Sequence, residues 1–133
     1  MPAIIAYQKH ITQQITRELS TPDGATELAT LADGTTYVCL PDGATLPDVQ
    51  PTEIIASINL VTLTDALRAE IKAASPHVRL INQRVVERVR ARYSMEDEIK
   101  MIRLAPSPES TIYNDYVEAC REWGREQKAA LGL

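Results

Sequence analysis

The hydrophobic pattern changes period near residue 64. Beyond it, apolar residues recur at three- and four-residue steps, as on one face of a helix. Thr64 is placed to cap a helix that buries Leu67, Ile71 and Ala74. Ser75-Pro76 starts the next, with proline in the first turn, where its missing N–H is an orphan anyway. That helix runs to about Tyr93 and carries Val78, Ile81, Val85 and Val89 on one stripe. Ser94 with Asp97 three residues later resembles a capping box, which restarts or bends the helix through Ile99 and Ile102. After a break at 105–107, Ser107-Pro108-Glu109 opens a last helix bearing Ile112, Tyr113, Tyr116, Val117, Cys120, Trp123 and Leu131. The closing Gly-Leu lets that helix fray. Helices joined by turns this short pack as antiparallel neighbours.

Before residue 64 the signals are those of strands and turns. Residues 3–19 fit two readings. Ile4, Tyr7, Ile11, Ile15 and Leu19 have helical spacing, while the β-branched content (Ile4, Ile5, Ile11, Thr12, Ile15, Thr16) suits strands. Asp-Gly then occurs at 23–24, 33–34 and 42–43, each time followed by Ala or Thr and then Thr. Asp-Gly supplies the positive φ that tight turns need. Thr35–Leu40, between two of these turns, is rich in strand formers, and Glu27–Leu31 is a plausible partner. Pro41, Pro47 and Pro51 space an extended stretch, and residues 53–61 add one more strand. The pattern predicts an α+β chain. A small antiparallel β-meander in the N-terminal half is followed by a C-terminal helical hairpin or bundle. The regions are 1–63 and 64–133, separate or continuous as one domain.

Composition narrows the picture. A chain of 133 residues fits one domain and can bury a sizeable core without staples. Phe is absent, so that core must be mainly aliphatic. Cys39 and Cys120 stand far apart and read as free, half-buried thiols. The N-terminal apolar run precedes Lys9 and His10, the reverse of a secretory signal's order. No apolar stretch reaches the ~20 residues that span a bilayer. The expectation is a soluble protein, cytoplasmic at synthesis.

The net charge of −4 argues against general nucleic-acid binding. Locally the balance reverses: Arg79, Arg84, Arg88, Arg90 and Arg92 face one acid, Glu87, within 79–92. Arg84, Arg88 and Arg92 share a helical face. That face could meet nucleic acid or an acidic partner, or be solvated and paired with Glu96 to Glu98 or with acids on the last helix. The second reading is favoured, since stacking aromatics and an overall basic domain are not evident. The Val78, Ile81, Val85 and Val89 stripe could be a self-association seam, but it covers about two heptads, which favours ordinary packing on the last helix. Tyr113, Tyr116 and Trp123 have the amphipathic chemistry of interface residues, or supply bulk to a core without Phe. No catalytic, cofactor or metal site is expected. His10 and His77 lack partners at ligand spacing, and there is no Cys-x-x-Cys, phosphate loop or nucleophile elbow.

The stretch from Arg90 through Ala-Arg-Tyr-Ser-Met-Glu-Asp-Glu-Ile-Lys-Met-Ile to Arg103, followed by Tyr113-Asn-Asp-Tyr-Val-Glu-Ala-Cys-Arg-Glu-Trp-Gly124, resembles the tail end of small proteins encoded in phage and prophage tail-gene regions. The segment from Asp33 to Gly43 is similar to β-segments in the same group. Tail-fibre assembly proteins share this layout of a small β-rich part and then helices ending in a polar aromatic helix. The resemblance implies a non-enzymatic virion component or assembly chaperone. Its partner would be a tail or fibre subunit, or another copy of itself in a homo-oligomer. No functional residue carries across. The rival class is a nucleic-acid-associated regulator using the Arg84, Arg88 and Arg92 face.

Overall fold

The computed structural model describes residues 2–133, and these form an antiparallel four-stranded sheet followed by four helices. The strands are β1 (Ala3–Gln8), β2 (Thr26–Thr30), β3 (Thr35–Leu40) and β4 (Asn59–Val61). The helices are α1 (Asp65–Ala74), α2 (Pro76–Arg92), α3 (Met95–Arg103) and α4 (Pro108–Ala130). The chain through Val78, together with Ala130–Leu133, makes one compact unit, and Arg79–Ala129 makes a second. The division therefore falls later than the change of period. It leaves α1 with the sheet.

In the first unit the strand order is β2-β3-β1-β4, so only β2 and β3 are neighbours both in sequence and in the sheet. β1 sits inside and is buried on both faces. Ile4 and Ala6 enter one core with Leu28, Ala29, Tyr37, Cys39 and Ile71. Ile5 and Tyr7 enter another with Leu19, Val38, Leu40 and Ile54. A strand covered on both sides reads as a continuous apolar run, which is why 3–8 shows no alternation. Ile4 and Tyr7, three residues apart, lie on opposite faces of the sheet. Their helical spacing is incidental. After Gln8 the chain is irregular, apart from a bridge between His10 and Thr16.

The β2–β3 hairpin turns at Asp33-Gly34. Leu31 N–H donates to Thr35 O at 2.9 Å, and Gly34 takes φ +86°. In this left-handed region glycine carries no Cβ penalty. A bulge in β2 shifts the register between Glu27 and Ala29. It puts consecutive residues Leu28 and Ala29 into the same core. The other two Asp-Gly pairs form matching Pro-Asp-Gly-Ala turns, with Ala25 N–H donating to Pro22 O and Ala44 N–H to Pro41 O. They redirect the chain without closing hairpins, which is why the sheet order is not that of a simple meander.

Each core has its own cover. α1 is capped by Thr64, whose Oγ1 accepts from Leu67 N–H at 3.1 Å, and it seals the first core with Ile71. Ala74, expected on the same buried face, is exposed. Leu131 and Leu133 pack on the first core as well. The residues after the last helix thus belong to the first core. The second core is roofed by loops. Gln50 ties two of them by accepting from Ser20 N–H at 2.8 Å and donating to Ser20 O at 2.9 Å and Pro47 O at 3.0 Å. Arg17 pairs with Glu53 at 3.3 Å.

In the second unit, Ser94 and Asp97 form the expected capping box at the start of α3. Ser107 and Ser110 make a similar reciprocal pair at the start of α4, at 3.0 and 3.1 Å. Gly124 of α4 lies so close to α2 that a Cβ there would stand 2.7 Å from Val85 Cγ2. Val89 and Cys120 are buried nearby in sequence on the same two helices. Among the described residues no helix is long and apolar enough to cross a membrane.

Gly43 and Gly132 separate backbone strain from packing. Both have positive φ, but a Cβ at Gly43 would meet nothing within 4 Å, whereas one at Gly132 would lie 2.9 Å from Ile4 Cδ1. Alanine at Gly43 is expected to cost about 1–2 kcal/mol through backbone strain alone. Alanine at Gly132 is expected to cost more, because Ile4 is 4 % exposed and has little room to shift. Urea unfolding of both variants checks this, and equal costs would mean that Gly132 does not press on the core.

Candidate interaction surface

The second unit brings most of the singled-out residues of α2 and α4 together. The Arg88 guanidinium lies over the Trp123 ring, 3.8 Å from its centroid. Arg92 lies 4.7 Å from the Tyr116 ring centroid and 5.5 Å from that of Tyr93. Tyr93 meets Tyr113 edge-to-face at 4.9 Å and 87°, and Tyr116 at 5.7 Å. The Tyr116 hydroxyl donates to Arg88 O at 2.7 Å. The result is a layered face in which two cations rest on Trp123, Tyr93 and Tyr116, with Tyr113 edge-on against Tyr93.

This arrangement follows from helical spacing. Arg88 and Arg92 are four apart on α2, and Tyr113 and Tyr116 are three apart on α4, so each pair shares a face. The approach at Gly124 brings the helices close enough for side chains to stack across them. A guanidinium over a ring gains ~0.5–1 kcal/mol at an exposed site and more when desolvated. It stacks through its flat face, and its N–H donors remain along its edge. Neither Arg88 nor Arg92 donates to a carboxylate among the described residues.

The pairing with acids expected of the arginine stripe is made by a residue off that stripe. Arg90 forms an ion pair with Glu98, and the Tyr113 hydroxyl donates to Glu98 Oε1 at 2.8 Å. Arg90 first, and Tyr113 second, hold the Glu98 carboxyl below its ordinary range. Desolvation, then the same hydrogen bond, raises Tyr113. On α4, Arg125 pairs with Glu118 and Glu122. Arg84 lines an open groove with Glu87, Arg88, Ala91 and Trp123.

The valine-isoleucine stripe is less available than the arginines. Val89 is buried, and Val85 and Ile81 are half-buried against Gly124. Val78 lies in the first unit, buried, with its N–H on Ser75 Oγ at 3.4 Å. Tyr113, Tyr116 and Trp123 are half-buried. Tyr93 completes the aromatic layer but was not singled out from the sequence. Its signal is the four-residue step that extends Val85 and Val89. Elsewhere, His10 and His77 are exposed, Cys39 and Cys120 are buried and free, and among the described residues no group of three or more His, Cys, Asp or Glu could hold a metal.

Two measurements test these contacts. Gly124→Ala is expected to destabilise the protein even though alanine is the better helix former by ~1 kcal/mol. Val85→Ala in the same chain should recover part of the loss, and a stable single variant would contradict the close approach. For Glu98 the folded pKa is depressed. Its contribution is therefore complete above the unfolded carboxylate value of about 4.3 and fades as pH falls through the lower folded value. The stability gap between wild type and Glu98→Gln should be constant near neutrality and narrow in acid. A gap independent of pH would contradict the Arg90–Glu98–Tyr113 cluster.

No protein-family model matches the chain, and neither does any curated protein or solved structure.

Proposed function

We propose that this chain is a non-enzymatic phage or prophage tail assembly or structural protein, binding a tail or fibre subunit through the arginine–aromatic face of α2 and α4. Two lines support the reading. The sequence from Arg90 to Gly124 resembles proteins of that group, and the same stretch supplies most of the face. Trp, Tyr and Arg are also the residue types that dominate binding energy at protein interfaces. Arg88 stacked on Trp123 is the observation that carries the proposal. The stack holds a long side chain in one arrangement before any partner arrives, which lowers the entropy cost of binding. Carboxylates are the natural targets of the edge donors, so the partner segment is acidic or rich in backbone carbonyls. The protein would act in the cytoplasm during assembly, or remain in the virion.

The rival reading uses Arg84, Arg88 and Arg92 on nucleic acid. It is weaker because guanidiniums already lie over Trp123 and Tyr116, and the chain's net charge is −4.

Co-purification of the tagged chain with candidate tail and fibre subunits tests the proposal. Trp123→Ala is expected to weaken the complex by roughly 30-fold, the ~2 kcal/mol of a hot spot, with a smaller effect on thermal unfolding. Unchanged association with lost stability would make Trp123 a core residue and refute the assignment. A gel shift with DNA that disappears steeply with salt would favour the rival.

A further inference from the structure

α3 buries none of its residues. Met95, Ile99 and Ile102 are 63 %, 47 % and 71 % exposed. At 3.6 residues per turn they fall within an arc of about 60°. Nine residues are too few for a helix to be stable by itself in water, and this one leaves its apolar stripe uncovered. The flanks of the stripe differ. One carries Glu96 near the start and Arg103 at the end, and neither side chain makes an ion pair or hydrogen bond among the described residues. The other carries Glu98, whose carboxylate is already held by Arg90 and Tyr113.

We infer that α3 docks against α3 of a second copy of this chain, antiparallel about a two-fold axis near Ile99. Reversal sets Met95 against the second copy's Ile102. It also sets Glu96 against the second copy's Arg103, twice, because antiparallel helices appose like flanks. The charge pattern is complementary to itself in this orientation. In a parallel pair Arg103 would have to find Glu98, which is occupied. Opposed helix dipoles favour the same direction. This contact is separate from the partner face on α2 and α4 and does not depend on it. Three side chains on a short helix fall below the ~800 Å² per partner of a standard interface. The dimer is therefore weak and depends on concentration.

Sedimentation velocity of the full chain, from micromolar to submillimolar loading, reads the equilibrium. Wild type is expected to pass from monomer to dimer, and Ile99→Asp to stay monomeric. Glu96→Arg or Arg103→Glu alone should weaken the dimer about fivefold or more, since each puts like charges into both symmetric contacts. The double variant Glu96→Arg/Arg103→Glu should return to within about twofold of wild type, although its charges oppose the helix dipole more than either single change does. Recovery therefore comes from pairing between copies and not from helix stability. A wild type that is monomeric at every loading would overturn the inference. So would a dimer indifferent to Ile99→Asp, or a double variant no tighter than the singles.

Discussion

Burial of β1 on both faces is the constraint from which the first unit follows. A strand with Ile4 and Ala6 on one side and Ile5 and Tyr7 on the other needs two covers. One is a capped helix carrying Ile71, together with Leu131 and Leu133. The other is made of loops, with Ile54 and Leu19 pressed inward and Gln50 holding the loop backbones in place. The loop cover must also satisfy its own backbone groups, and the repeated Pro-Asp-Gly-Ala turns do this without extending the sheet. With no Phe in the chain, Tyr7 and Tyr37 supply the large rings of the two cores.

The second unit depends on a close helix approach. Gly124 removes the side chain that would hold α4 away from Val85. Rings on α4 can then reach the arginines of α2. The same contacts stabilise the helices and fix the surface they present. Arg88 and Arg92 gain from their rings and pair with no carboxylate among the described residues. Arg90 has a different task, clamping α3 through Glu98. Three arginines on one helix thus divide between stacking and ion pairing according to which side chain lies opposite.

Much of this was legible in the sequence, for local reasons. Thr64, Ser94 with Asp97, and the Ser-Pro steps marked helix starts because capping is settled within four residues. Asp33-Gly34 marked its hairpin for the same reason. The character of residues 3–8 was not legible, because a strand buried on both faces has no alternation. The β2 bulge, the interior place of β1 and the packing of Gly132 against Ile4 depend on residues distant in sequence. In the candidate surface, helical spacing grouped the arginines and grouped the rings. That the two groups stack on each other depends on how α2 and α4 pair, which spacing within one helix does not specify. Gly124 was the clue, a glycine inside a helical pattern beside Trp123.

In the proposed function, the arginine–aromatic face receives the partner. Trp123 is the only tryptophan, so an isotope-labelled chain gives one indole N–H signal from the middle of that face. The most direct test follows this signal by NMR during titration with an unlabelled tail or fibre subunit that co-purifies with the chain. The signal is expected to shift or broaden in step with binding. A signal that stays fixed while resonances elsewhere in the chain move would place the partner on another surface and contradict the claim.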